Sequence, residues 1–363
     1  MKILLIGEYS NVHATLADGL RRLGYKVTVV SDGDGWKDYP RNIDVSRPSG
    51  WLSGPRMYMR LVSILPRLRG YDVVQLINPM FFELKAERLF WFYRYLRKHN
   101  KRVFLGAFGM DYYWVHGCIF DKPLRYSDFN IGDTLRTDAE AVKYQRDWLG
   151  TTKEKLNKYI AEDCDGIIAG LYEYWACYHP VFADKTCYIS FPVKMPDSDH
   201  TDRAQQSKVV IFIGINRQRS AYKGTDIMLQ AAKAVQQKHP NRIILNIAES
   251  VPFAEYSKMM EGSDAILDQL YAYTPSMNPL LAMSKGIICI GGGEPENYEI
   301  INETELRPII NVEPAYDSVC QELEQLVCHP ERIPELKRQS VEYVKRHHDH
   351  LKVARQYLDF WTK

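Results

Sequence analysis

The opening thirty residues constrain the fold more than any other stretch of the chain. Lys2–Ile6 reads as an apolar run suited to a strand buried on both faces. Gly7–Asn11 breaks the run as a turn. Leu16, Leu20 and Leu23 then recur at helical spacing, and Gly24 is a good helix stop. Val27–Val30 is the next strand. Strand, turn, helix and strand in so short a span form a βαβ unit, which forces a parallel sheet.

The alternation continues. Strands are expected at Val73–Ile77, Val103–Leu105, Gly166–Ala169 and Cys187–Ile189, with helices at Leu84–His99, Lys153–Glu162 and Tyr172–Tyr178. Pro192–Ser207 is polar, carries Pro, Asp and Ser, and reads as a linker. The pattern then restarts. Lys208–Ile213 is a strand, Thr225–Lys238 a helix, and Ile243–Ile247, Ala265–Leu267 and Ile287–Ile290 are further strands. A helical tail is expected at Pro314–His329 and Pro334–Trp361. The fold class is therefore α/β, with two doubly wound domains. A length of 363 residues suits this at about 100–200 residues per domain. The expected ranges are 1–200, 201–345, and a terminal helix over 346–363.

Composition excludes several classes. Forty-seven Lys+Arg against forty-five Asp+Glu give a formal net charge of +2, which argues against a histone-like or acidic-tail protein and leaves no nucleic-acid partner expected. Hydrophobic content of 45% with 25% charged residues excludes wholesale disorder. The first apolar run stops at Glu8, too short for a signal-peptide core. Seven scattered cysteines without a C-x-x-C pair read as reduced thiols, so the expected location is cytoplasmic. Charge is uneven, however. Residues 51–105 hold eleven basic and three acidic residues, a balance of +8, interleaved with Trp51, Phe90, Trp91, Phe92, Tyr93 and Tyr95. Such a face suits an anionic membrane surface or a lipid-pyrophosphate acceptor. The alternative is a solvated helix face whose apolar side packs in the core.

Three stretches of the second half carry candidate binding chemistry. Gly214, Asn216, Arg217, Arg219 and Lys223 lie between a strand and a helix, where doubly wound sheets bind ligands, and two arginines and a lysine there suit a diphosphate. Gly292 and Gly293 follow another strand, and the carboxylates of Glu294 and Glu296 can accept hydrogen bonds from sugar hydroxyls. Between them, Asp268–Met283 is an aromatic, polar loop with Ser276 and Asn278 at the start of a short helix. Neither glycine pattern is a dinucleotide fingerprint or a Walker loop. In the first half, Asp111 among aromatics and His13 at the first helix are candidates for handling a substrate, the alternatives being an Asp that caps a turn and an ordinary residue of a helix N-terminus. Asp32-Gly33-Asp34 and His347–His350 invite a metal reading, but a turn and a charged helix account for them, and no metal or cofactor is expected.

Gly214…Arg217…Lys223-Gly224, then Ser263-Asp264-Ala265, Pro275-Ser276…Ala282-Met283-Ser284-Lys285-Gly286 and Gly292-Gly293-Glu294, resemble the group 1, family 4-like glycosyltransferases of the GT-B fold. The resemblance spans roughly 208–300. It implies two Rossmann-like domains facing a cleft, with a nucleoside-diphosphate-sugar held by the C-terminal domain and a glycan or lipid-linked acceptor by the N-terminal one. It also implies a last helix that returns to the N-terminal domain, and metal-independent, retaining transfer. Arg217 and Lys223 match the residues that neutralise the departing diphosphate. The sequence departs from the family at its paired glutamates, where Tyr273 and Leu281 stand instead. That departure keeps two alternatives open, a catalytically silent nucleotide-sugar-binding subunit and a nucleotide-sugar epimerase.

Overall fold

The computed structural model describes residues 1–197 and 208–363. The expected linker at Pro192–Ser207 and the boundary near residue 200 thus fall largely outside the described residues. In the first half the strands are β1 (Lys2–Ile6), β2 (Lys26–Ser31), β3 (Ile43–Asp44), β4 (Val73–Leu76) and β5 (Arg102–Ala107), the short hairpin β6 (Asn130–Ile131) and β7 (Thr134–Leu135), then β8 (Gly166–Ala169) and β9 (Thr186–Tyr188). All but the hairpin join one parallel sheet in the order β3-β2-β1-β4-β5-β8-β9. Ile3 pairs with Val27 on one side and Val73 on the other, so β1 is interior. Its residues Ile3–Ile6 are wholly buried, which explains an apolar run without alternation. Helices α1 (Val12–Arg22), α2 (Ser53–Ile64), α3 (Ala86–His99), α4 (Tyr112–His116), α5 (Ala139–Trp148), α6 (Thr152–Asp163) and α7 (Tyr172–Tyr178) intervene. The sequence pattern misses α2 and α5 as helices.

The second half repeats the plan. Strands β10 (Val209–Ile215), β11 (Ile243–Glu249), β12 (Ala265–Leu267), β13 (Ile288–Gly291) and β14 (Ile310–Asn311) form a parallel sheet in the order β11-β10-β12-β13-β14. The helices are α8 (Ser220–Lys223), α9 (Thr225–Lys238), α10 (Phe253–Met260), α11 (Met277–Ser284), α12 (Pro295–Ile300), α13 (Tyr316–Cys328), α14 (Ile333–His347) and α15 (His350–Thr362). Side chains alternate across β10. Ile211 and Ile213 pack with Met228, Ala231 and Leu323 on one face, and Phe212 packs with Ile266 and Ala282 on the other. Both faces are covered, as a doubly wound sheet requires.

Two compact units result. One comprises Met1–Pro123, Lys143–Pro192 and His350–Lys363, and the other Leu124–Val142 and Val193–Asp349. Two details differ from the sequence pattern. The helical stretch expected over Pro334–Trp361 is two helices, α14 and α15, the second lying within the terminal range 346–363. The break falls at 348–349, where Val193 N donates to the His348 carbonyl at 2.7 Å. α15 belongs to the first unit. Trp361 Nε1 donates to Gln75 Oε1 of β4 at 3.2 Å, and Phe360 stacks near Phe104 of β5 with ring centroids 5.6 Å apart. Residues Leu124–Val142, by contrast, cluster with the second unit although their neighbours in sequence lie in the first.

Candidate functional site

In the second unit, the loop leaving β10 carries the basic candidates. Gly214 lies against the Tyr256 ring. Asn216 Oδ1 accepts from Gln218 N at 3.1 Å and starts a single 3-10 turn at Arg217–Arg219. Gly224, at φ +72°, ends α8 and starts α9, a conformation that side chains with a Cβ rarely adopt. The loop therefore delivers Arg217, Arg219 and Lys223 to the carboxyl edge of the sheet. The arginines are already paired. Arg217 reaches Glu249, at the end of the adjacent β11, through Nε at 2.5 Å and Nη2 at 3.0 Å. Arg219 Nε donates to Glu140 Oε1 at 2.8 Å. Burial pushes the Asp268 carboxyl up to about 6, against the opposing charge of Lys223. Asn278, near the start of α11, hydrogen-bonds that carboxyl and donates to Tyr256 Oη at 2.8 Å. Ser276 stands at the N-cap of α11 without a capping side-chain bond.

The glycine turn after β13 is set by close approach. A Cβ on Gly292 would run into the Ala272 carbonyl, and Gly293 N donates to Asn311 Oδ1 at 2.9 Å. The carboxylates that follow already accept hydrogen bonds from the protein itself. Glu294 accepts from Arg125 Nη2 at 2.6 Å, Tyr126 Oη at 2.5 Å and Asn311 Nδ2 at 3.0 Å. Glu296 accepts from Arg125 at 2.5 and 3.1 Å. Burial alone would raise Glu296, but Arg125 prevails and holds it below the ordinary glutamate value. The physical reason is the strap Leu124–Val142, which brings a guanidinium to the turn. Tyr273, at the first of the family's two glutamate positions, is buried, and its Oη accepts from Arg125 N at 2.7 Å.

The first unit holds a cavity of about 940 Å3, lined by Glu8, Tyr9, Asp32, Asp34, Arg47, Asn78, Trp148 and Lys153 among others. Neither His13 nor Asp111 lines it. His13 is fully buried, its Nδ1 lies 2.8 Å from the Gly7 carbonyl, and burial lowers its imidazole to about 4. Asp111 is fully buried as the N-cap of α4. It accepts from Trp114 N at 2.9 Å and Tyr178 Oη at 2.7 Å, and burial raises it to about 7.

Among the carboxylates that line the cavity is Glu8, which the sequence presents only as part of a turn. It caps α1 by accepting from Ala14 N at 2.8 Å and His13 N at 3.3 Å, and burial pushes it up to about 8. The sequence signal was its position directly after β1, at a strand's carboxyl end. Asp34, φ 60°, accepts from Lys37 Nζ at 2.6 Å and Ser10 N at 2.8 Å. Among the described residues no group of three or more His, Cys, Asp or Glu side chains is placed to hold a metal ion.

No protein-family model and no curated protein sequence matches this chain. Solved structures do. Sucrose-phosphate synthase from Thermosynechococcus elongatus superposes with a TM-score of 0.64 at 12% identity, over 100% of this chain and 98% of that one. HepE of Anabaena, in complex with UDP and glucose, gives 0.58 at 12% identity, over 100% and 99%. The chain has the GT-B fold. TarM of S. aureus, solved with fondaparinux, alpha-GlcNAc-glycerol and UDP, gives 0.54 at 12% identity over 85% of this chain. This chain spans only 59% of the length of TarM.

Proposed function

We propose that the chain is a glycosyltransferase that moves a sugar from a nucleoside-diphosphate donor to a glycan or lipid-linked acceptor, in polysaccharide or glycoconjugate synthesis. The observation that carries the reading is the cationic loop of Arg217, Arg219 and Lys223 at the carboxyl edge of a GT-B sheet. Breaking the bond between the sugar's anomeric carbon and the diphosphate leaves charge on the departing oxygen. Fixed cations there stabilise the transition state more than the ground state. In retaining, metal-independent transfer, the acceptor oxygen bonds the anomeric carbon on the same face, and its proton passes to the departing phosphate oxygen. That route asks for no carboxylate base, which fits a site whose Glu294 and Glu296 are already held by Arg125. The second unit would take the donor and the cavity of the first the acceptor, with Glu8 rather than His13 or Asp111 facing it.

The basic, aromatic segment at 51–105 supports a further part of the reading, a cytoplasmic enzyme working at an anionic membrane face. Among the described residues no helix is long and apolar enough to cross a membrane. A silent donor-binding subunit is the second reading, favoured by Tyr273 and Leu281 at the two glutamate positions. One experiment separates the two. Purified protein is incubated with a panel of nucleotide sugars, with and without membrane glycolipid extract, and released nucleoside diphosphate is measured. Turnover by the wild type that falls about a hundredfold or more in Lys223→Ala is the expected result for loss of a transition-state cation. Binding of a donor without any turnover would establish the silent subunit, and turnover unchanged in Lys223→Ala would sink the diphosphate assignment.

A further inference from the structure

Residues Leu124–Val142 place an anion and a cation into the proposed donor site. The strap is firmly seated. Phe129 and Asn130 are fully buried, and Leu124 and Tyr126 nearly so. Tyr222 Oη, in α8, donates to Asp128 Oδ2 at 2.7 Å, and the Arg136 guanidinium lies 3.6 Å from the Tyr271 ring centroid while donating to the Ala221 carbonyl at 2.8 Å. Those anchors fix the backbone from which two side chains project. Glu140 holds Arg219 in the cationic loop, and Arg125 holds Glu294 and Glu296 at the glycine turn.

We propose that this strap sets the affinity of the second unit for a nucleoside diphosphate, with Glu140 lowering it and Arg125 raising it. The inference rests on the donor reading above. A diphosphate that uses Arg219 meets the Glu140 carboxylate on its Nε, an anion competing for the same guanidinium charge. Arg125 acts in the opposite sense by cancelling part of the field of two carboxylates. β10 and β13 are parallel and separated by β12 alone, so their carboxyl ends share one edge, about 10 Å apart. That spacing is within a Debye length at moderate salt, so charge at one loop is felt at the other. Both contacts are ion pairs with a half-exposed arginine, so each modulates binding without abolishing it.

The test is calorimetric titration of the full-length protein with UDP, GDP, ADP and dTDP, in low and in high salt. Three variants accompany the wild type: Glu140→Gln, Arg125→Gln, and Glu335→Gln as a charge-matched control on an exposed helix pair with Arg338. The expected result is opposite signs. Glu140→Gln tightens the preferred diphosphate by about two- to fivefold, Arg125→Gln weakens it by about the same factor, and both effects shrink in high salt. Glu335→Gln binds as the wild type does. Structural damage would weaken both strap variants, so weakening or no change in Glu140→Gln overturns the proposal while wild-type binding leaves the donor reading standing. Equal tightening in Glu140→Gln and Glu335→Gln also overturns it, because net charge would then explain the gain. If neither the wild type nor Glu140→Gln binds any diphosphate, the donor reading fails and the proposal falls with it.

Discussion

Single residues in this chain are tuned mainly by burial, and Glu8 is the clearest case. Its carboxyl lies under the start of α1, where two backbone N–H groups favour the ionised form, yet desolvation prevails and raises it from 4.5 to about 8. The folded state therefore binds a proton that the unfolded state has released across the window between those values. Stability contributed by this group is present at low pH and is lost as pH rises through that window, at about 1.4 kcal/mol per pH unit. Glu8→Gln keeps an acceptor for α1 and removes the titration. We expect the variant to melt higher than the wild type at pH 8.5, with the gain fading as pH falls toward 5. His13, lowered to about 4, works in the opposite sense, its stability being lost as pH falls below 6.5, so the comparison is read at pH 8.5, where His13 is neutral in both the folded and the unfolded state. Equal melting temperatures at pH 8.5 would show that Glu8 is not desolvated as its surroundings indicate. The same burial holds Asp111 and His13, the two sequence candidates of this half, out of the cavity lining. A polar residue beside a strand end has the same appearance in sequence whether it faces ligand or caps a helix from behind.

At the scale of elements, the molecule separates what local sequence encodes from what only tertiary contact decides. α15 shows the second kind. Its pattern continues that of α14, and the chain breaks at 348–349, where Val193 N meets the His348 carbonyl. The helix matters to the first unit because Trp361, 1% exposed, covers β4 and β5 together with Phe360. Trp361→Ala should cost about 3–5 kcal/mol, the range for deleting a large buried aromatic. Urea denaturation followed by intrinsic fluorescence and circular dichroism would measure this, and a loss below about 1 kcal/mol would mean that α15 is not part of that core. The parallel strands were legible because strands covered on both faces leave unbroken apolar runs such as Ile3–Ile6 and Ile287–Ile290. The cationic loop was legible too, since Arg217, Arg219 and Lys223 sit within one strand-to-helix connection. The strap was not. Arg125 lies 169 and 171 positions from the glutamates it holds, and no periodicity or spacing encodes such a pairing. The hairpin β6–β7 has two-residue strands, too short for alternation to register.

At the scale of the whole molecule, the near-neutral total conceals an uneven distribution. Residues 1–200 carry 28 basic and 24 acidic side chains, and 201–363 carry 19 and 21. Within the first unit the excess is concentrated on α2 and α3. These helices lie side by side: Tyr58 and Phe92 have centroids 6.0 Å apart, the Arg88 guanidinium is 5.0 Å from the Tyr58 ring, and Tyr95 Oη donates to the Leu65 carbonyl at 2.9 Å. Their inward faces bury Met57, Leu61, Leu89 and Phe92, which satisfies the ordinary amphipathic pattern. Core packing does not explain the outward residues. Trp51 is 92% exposed, and Met59, Val62 and Trp91 are exposed among Arg56, Arg60, Arg94 and Lys98. Exposed indole and basic side chains on adjoining helices are the chemistry that an anionic interface recognises, each cation contributing about 1 kcal/mol near such a surface. The protein should therefore sediment with vesicles containing phosphatidylglycerol, not with pure phosphatidylcholine, and should release as salt shortens the Debye length. Replacing Arg56, Arg94 and Lys98 by Gln should weaken association by about two orders of magnitude at low salt, if each cation is worth roughly the amount stated. Trp51→Ala with Trp91→Ala should weaken the part of binding that survives high salt, because burying indole is indifferent to screening. Binding that ignores lipid charge, salt and all five substitutions would return this face to plain solvent.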